Sequence, residues 1–215
     1  MKYYISGIIL LALFGILAAV VTYDRAQVTP SDYTAFAKIN NPQGKALNQV
    51  MVDLTKYGRE EVWIATTAAV FVLGGPSGRR TAALLVISFI ILIPLGTALK
   101  DEIDRPRPTP AAPDNLLVKA DNDSSFPSGH AVIVSAGAFV MLARFNQGRK
   151  AIAALVLAAE AALVIYSRVY VGAHYPLDVF AGALLGTGVA SIVVGFSRYL
   201  NPLFLRLDLI GRKKP

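Results

Sequence analysis

The stretch Ser167-Arg168-Val169-Tyr170-Val171-Gly172-Ala173-His174-Tyr175-Pro176-Leu177-Asp178 places a fixed cation, an imidazole and a carboxylate within twelve residues. With a helix after Pro176, His174 and Asp178 stand four apart on one face. A carboxylate so placed can hold one imidazole nitrogen and leave the other free to attack an electrophile. Arg168 adds a permanent positive charge suited to a phosphate. Two more clusters carry polar chemistry: Lys100-Asp101-Glu102-Ile103-Asp104-Arg105-Pro106-Arg107-Pro108, and Pro127-Ser128-Gly129-His130 at the head of an apolar segment. At the latter, unpaired backbone amides and the positive end of a helix dipole make a ready anion site, which Gly129 lets an anion approach closely. Each cluster alone has an ordinary explanation. Ser128 is a common helix cap, Lys100, Arg105 and Arg107 are common snorkelling cations, and His174 could be a hydrogen-bonded structural histidine. Together they make a phosphate cradle with an acid–base pair.

The elements that must position these residues are apolar helices. The chain has 215 residues, 54% of them hydrophobic, and a mean hydropathy of +0.52. Such a composition with long apolar runs marks an integral membrane protein. The fold expected is all-α, a polytopic bundle of six transmembrane helices forming one domain over residues 1–215. Its spans fall near residues 5–22, 60–74, 81–99, 129–143, 151–166 and 177–196. The first apolar run has the alternative reading of a signal peptide, but its single Lys2 and the absence of a small-x-small cleavage site favour a retained span. Between the first two spans, turn signals at Thr29-Pro30-Ser31-Asp32 and Asn40-Asn41-Pro42-Gln43-Gly44 flank a mixed region. Within it, Leu47, Val50, Met51 and Leu54 recur at helical spacing, as an amphipathic surface helix or a solvated linker would. Gly74-Gly75-Pro76-Ser77-Gly78-Arg79-Arg80 and Arg144-Phe145-Asn146-Gln147-Gly148-Arg149-Lys150 read as turns, and Pro94 as a kink in the third span. Residues 100–125 read as an irregular loop.

Charge sets the orientation. Six spans place the amino end, the Arg79/Arg80 turn, the Arg144–Lys150 turn and the basic tail Arg212-Lys213-Lys214 on one side. That side carries eleven Lys/Arg and only Asp208 as an acid; the other carries ten Lys/Arg and twelve Asp/Glu. The positive-inside rule makes the first side cytoplasmic, with both termini on it. The three polar clusters then converge on the outer face of the cytoplasmic membrane. Because the net charge of +7 comes from basic residues scattered through short turns, it points to membrane anchoring and not to nucleic acid. The absence of cysteine excludes disulfides and thiol catalysis, and two histidines are too few for a poly-histidine metal centre.

Lys100-x6-Arg107-Pro108, Pro127-Ser128-Gly129-His130 and Ser167-Arg168-x5-His174-x3-Asp178 resemble the three signature motifs of the type 2 phosphatidic acid phosphatase family. The motifs occur in order and between spans of the right parity. The resemblance implies a metal-independent lipid phosphatase without a cofactor. In it His174 attacks phosphorus to form a phosphohistidine, Asp178 orients His174, and His130 protonates the leaving oxygen and then activates water. Lys100, Arg107, Arg168, Ser128 and the Gly129 amide would hold the phosphate oxygens. The substrates implied are polyprenyl diphosphates such as the undecaprenyl carrier, favoured for the outward-facing site, then phosphatidylglycerophosphate and phosphatidic acid. Arg105-Pro106 also offers an Arg-Pro pair, and only the six-residue gap from Lys100 selects Arg107. Arg105 is left to a supporting or substrate-facing role.

Competing readings are a vanadate-dependent haloperoxidase, opposed by the apolar spans, and a catalytically silent lipid-binding or lipid-translocating protein, opposed by the intact His130, His174 and Asp178. Lipid access is expected between the third and fifth segments, as the resemblance suggests. Glu160 stands outside the motifs. Its charge inside a span would cost roughly 2.5–3.5 kcal/mol, so a protonated, hydrogen-bonded glutamic acid is the plainer account and a pathway role the sharper one.

Overall fold

The computed structural model describes residues 2–42, 44–119 and 122–209. Among these the chain is all-helical, without strands, as apolar segments must be where no water can satisfy the backbone. Helix α1 covers Lys2–Tyr23, α2 Arg25–Ile39, α3 Lys45–Tyr57, α4 Glu60–Leu73 and α5 Gly75–Ile103. After a long loop come α6, Gly129–Arg144, α7, Gly148–Tyr170, α8, Pro176–Phe196, and α9, Asn201–Leu209. Four stretches are long and apolar enough to cross a membrane: Tyr3–Tyr23, Gly75–Ile103, Gly148–Tyr170 and Pro176–Asp208. The helix Gly129–Arg144 is apolar but shorter. Large apolar side chains such as Ile8, Ile16, Ile64, Ile90, Ile152 and Leu155 point outward, a surface suited to lipid. This is a membrane protein.

Helix α8 is the hub, packed most extensively on α6 and α1. Its small residues set the spacing. A methyl group added at Gly186 would lie 2.1 Å from the Val132 carbonyl oxygen, and one at Gly182 2.6 Å from the Ser128 carbonyl oxygen. The α6 and α8 backbones therefore touch, as small residues allow in membranes. That closeness brings the Ser128 N–H to the Asp178 carbonyl at 3.0 Å, so the head of α6 is fixed to the first turn of α8.

The bundle has two distinct ends. At one, Arg105 pairs with Asp32 and Asp178, and Arg25 donates to the Ile103 carbonyl. At the other, Arg80 pairs with Asp208 and Arg79 donates to the Leu207 carbonyl at 3.3 Å. The helix ends bearing the three polar clusters share the first of these.

Several sequence expectations change. Thr29-Pro30-Ser31-Asp32 is not a turn but lies inside α2. Phe36 and Asp32, four apart, are both buried there, and the gain from that face outweighs the backbone bond lost at Pro30. The seven-residue turn at Gly74–Arg80 shrinks to its glycines. Gly75 adopts φ +64°, and α5 starts at once with Pro76 in its first turn. Arg79 and Arg80 are consequently helical, α5 continues through Pro94 to Ile103, and Lys100 sits on it. The Arg144–Lys150 turn narrows to residues 145–147, and α7 extends to Tyr170, so that Arg168 rides on its last turn. Helix α3 forms where amphipathic spacing places it, with Met51 and Thr55 buried. The tail includes α9, whose Phe204 is buried. Gln43 and the basic Arg212, Lys213 and Lys214 lie outside the described residues.

Candidate active site

Lys100, Arg107, Gly129, His130, Arg168 and His174 line one cavity of about 1330 Å³. Four elements deliver them: the last turns of α5, the loop after it, the head of α6, and the α7–α8 junction. Ser128 and Asp178 are fully buried beside these residues in sequence.

His174 is 1% exposed and lies in the tight turn between α7 and α8, not on a helix face as the four-residue spacing suggested. The turn is built on the Arg168 carbonyl, which accepts from the Ala173 and His174 amides at 3.1 and 3.2 Å. Gly172, at φ +87°, reverses the chain. Asp178 meets His174 by a different route. One of its oxygens, Oδ2, accepts the Tyr175 amide at 2.9 Å, closing the first turn of α8, and the same oxygen lies 3.5 Å from His174 Nδ1. Nδ1 thus faces the carboxylate. The other ring nitrogen, Nε2, faces Arg107 Nη1 at 3.3 Å. Burial holds this imidazole well below the ordinary histidine range, and Arg168, Arg107 and Lys100 reinforce the effect. At neutral pH His174 is therefore uncharged, with one lone pair available on Nε2.

Behind Asp178 stands Arg105, only 2% exposed. Its Nη1 donates to Asp178 Oδ1 at 2.5 Å and its Nη2 to Asp32 Oδ2 at 2.8 Å, while its guanidinium lies 4.2 Å over the Tyr175 ring. Asp32 Oδ1 in turn accepts the Leu177 amide at 3.1 Å. Burial pushes the Asp32 carboxyl above its usual range, against the pull of Arg105. Arg105 therefore faces Asp178 and Asp32. The sequence motif did not reveal Asp32, because its partner lies 73 residues away. The clue available was an acid on the buried stripe shared with Phe36.

Lys100 and Arg107 are joined by Asp123, which accepts from both at 2.5 Å. Burial alone would raise the Asp123 carboxyl, but the two cations outweigh it and hold it at about 2. Arg107 also donates to the Ala173 carbonyl at 2.7 Å, and Lys100 to the Ser124 carbonyl at 2.8 Å. The Ser128 hydroxyl is buried without a hydrogen-bond partner.

His130 is oriented from α3. Its Nε2 lies 3.1 Å from the Thr55 carbonyl, which can only accept, so Nε2 carries a proton and Nδ1 is the exchanging nitrogen. Thr55 is itself fixed by a 2.8 Å hydroxyl contact with Ser167 at the end of α7. The amphipathic helix is thus part of the site and not a linker.

Away from these polar groups the cavity becomes apolar. It runs between α4, α5 and α6 to Arg79 and Leu207 and is walled by Trp63, Phe71 and Phe89. Glu160 is not in the cavity. Its carboxylate oxygens are buried without a hydrogen-bond partner.

Arg105→Lys is expected to lower kcat with little change in KM, since one ammonium cannot bridge two carboxylates as the guanidinium fork does. Arg105→Met leaves two buried acids unpaired, a change worth about 3–5 kcal/mol, and should reduce the folded yield. Steady-state kinetics and size-exclusion profiles in detergent check both.

A profile described as the PAP2 superfamily matches residues 81–202. Over 160 residues, 74% of this chain and 75% of its relative, the sequence is 44% identical to an undecaprenyl-diphosphatase of Sulfolobus acidocaldarius. The crystal structure of a transmembrane PAP2 type phosphatidylglycerolphosphate phosphatase from Bacillus subtilis superposes with TM-score 0.68 at 26% identity, over 91% of this chain and 97% of that one. The structure of Aquifex aeolicus LpxE gives TM-score 0.59 at 28% identity, over 75% and 93%. With the profile covering more than half of the chain and the relative matched over three quarters of its length, the protein belongs to the PAP2 superfamily.

Proposed function

We propose that this membrane phosphatase removes the terminal phosphate of a polyprenyl diphosphate through a phosphohistidine on His174. That it is a lipid phosphatase follows from its family and from relatives named for lipid substrates. The observation that carries the mechanism is the placement of a neutral, buried His174 with Nε2 beside Arg107 and Nδ1 facing Asp178.

In the first step His174 Nε2 forms a bond to the terminal phosphorus while the bond from phosphorus to the bridging oxygen breaks. His130, which takes up a second proton as the anionic diphosphate enters, gives its Nδ1 proton to that oxygen, and the lipid leaves as the monophosphate. In the second step His130 takes a proton from water, the water oxygen bonds to phosphorus, and the bond to Nε2 breaks, giving inorganic phosphate. Lys100, Arg107, Arg168, the Ser128 hydroxyl and the Gly129 amide hold the non-bridging oxygens as charge shifts in the transition state. Asp178, paired with Arg105, faces the positive ring that forms on His174. These three cations supply the positive field that metal ions provide in other phosphoryl-transfer sites.

The whole chain is one domain whose helices α1, α4, α5, α6, α7 and α8 cross the bilayer. At 14 residues α4 rises about 21 Å, short of the roughly 30 Å hydrocarbon core, so it crosses only as a partner of α5. Charge supports cytoplasmic termini and a site on the outer face of the cytoplasmic membrane. There the polar pocket meets lipid headgroups while the apolar groove takes the first part of the prenyl tail.

The test is phosphate release in detergent from undecaprenyl diphosphate, phosphatidylglycerophosphate and phosphatidic acid, each with vanadate or EDTA. The diphosphate is expected to give the highest kcat/KM, with competitive inhibition by vanadate and none by EDTA. Preference for a glycerophospholipid would replace the substrate, and loss of activity in EDTA would overturn the metal-free mechanism.

A further inference from the structure

A fourth cation reaches the same pocket from outside the three motifs. Arg59 occupies the junction of α3 and α4. Its Nη1 is 3.7 Å from where a methyl group on Gly129 would sit, so the guanidinium rests against the head of α6. It also lines the same cavities as His130. Arg59 lines the large cavity and a second one of about 440 Å³, which Lys56, Lys119, His130 and Arg168 also line. The two spaces meet at His130.

The known partner of Arg59 is Glu60, its sequence neighbour, whose side chain is 61% exposed. Exposed pairs of this kind contribute little, so an incoming anion can replace Glu60 readily. Lys100 and Arg107, by contrast, are both fastened to Asp123 on the His174 side. The cations thus divide into two groups, one at the nucleophile and one at the histidine that serves the leaving oxygen.

A lipid diphosphate has two phosphates joined by the bridging oxygen. When the terminal phosphorus faces His174 Nε2 and the bridging oxygen faces His130 Nδ1, the inner phosphate lies on the far side of His130. We propose that Arg59 binds this inner phosphate, the one that remains on the lipid, and so favours diphosphates over monophosphates. The inference rests on the lipid diphosphate reading above. It adds a subsite to it, a guanidinium that neutralises charge on the departing group.

The experiment uses the full-length protein in detergent, turning over phosphatidic acid, with methylenediphosphonate and orthophosphate as inhibitors. Arg59→Gln should raise the inhibition constant of methylenediphosphonate about tenfold, the weight of one charge-assisted hydrogen bond, and that of orthophosphate less than twofold. Its kcat/KM on undecaprenyl diphosphate should fall several times further than on undecaprenyl phosphate. Glu60→Gln, which frees Arg59, should tighten methylenediphosphonate instead, and serves as the independent arm where Arg59→Gln folds poorly. Equal weakening of both inhibitors, or no change in either variant, overturns the subsite. A wild-type enzyme that hydrolyses no diphosphate would overturn the substrate reading, while the ratio of the two inhibition constants would still decide the role of Arg59.

Discussion

His174→Ala will reduce phosphate release on the order of 10⁴-fold or more while leaving the folded protein intact. The expectation is large because the proposed path runs through a covalent bond to this side chain. Alanine leaves Lys100, Arg107 and Arg168 facing the same space. Substrate affinity should therefore survive, and a KM within a few-fold of wild type together with the lost kcat is the signature. The folded yield should also hold. His174 Nδ1 has no close hydrogen bond, only the 3.5 Å approach to Asp178, whose stronger partners are Arg105 and the Tyr175 amide. Turnover within tenfold of wild type would remove His174 from the reaction.

His130→Ala will slow lipid hydrolysis by about 10²–10⁴-fold, the usual weight of a general acid–base residue. It should behave differently from the first variant when the leaving group changes. With p-nitrophenyl phosphate, whose phenolate departs without a proton, the first step should persist in His130→Ala. The second step still lacks its base, so rapid mixing should show a burst of about one nitrophenolate per enzyme, followed by slow turnover. Wild-type steady-state rates on both substrates would show that His130 is positional only. The same readout applies to Thr55→Val, which removes the hydroxyl contact with Ser167 that positions the carbonyl holding His130 Nε2.

The three polar clusters were legible because each is short and abuts an apolar run, so local spacing and parity alone bring them to one end of the bundle. Arg107 was separable from Arg105 by its six-residue gap, and the structure gives the two quite different surroundings: Arg107 faces His174, Arg105 faces Asp178 and Asp32. What sequence could not supply was contact between distant elements. Asp32 meets Arg105 across 73 residues, Thr55 meets His130 across 75, and Asp123 bridges two cations from an irregular loop. None of these has a spacing rule. Helix α2 was hidden for a related reason. Pro30 and Asp32 are turn formers by local preference, and only burial of Phe36 against Tyr175 makes the helix the better solution. The His174–Asp178 pair was anticipated as a contact but for the wrong cause: the first turn of α8 brings the carboxylate back over the preceding turn.

In this mechanism the phosphoryl group passes through Nε2 of His174. The direct measurement is to trap the enzyme during turnover of a substrate radiolabelled in its terminal phosphate, quench in alkali, digest, and map the label. With radiolabelled p-nitrophenyl phosphate, whose leaving group needs no proton, His130→Ala should accumulate the most label. An acid-labile, alkali-stable phosphate is expected on the peptide containing His174, in the Nε2 isomer, with no label in His174→Ala. Label on any other residue, or full turnover in a wild-type enzyme that never becomes labelled, would contradict it.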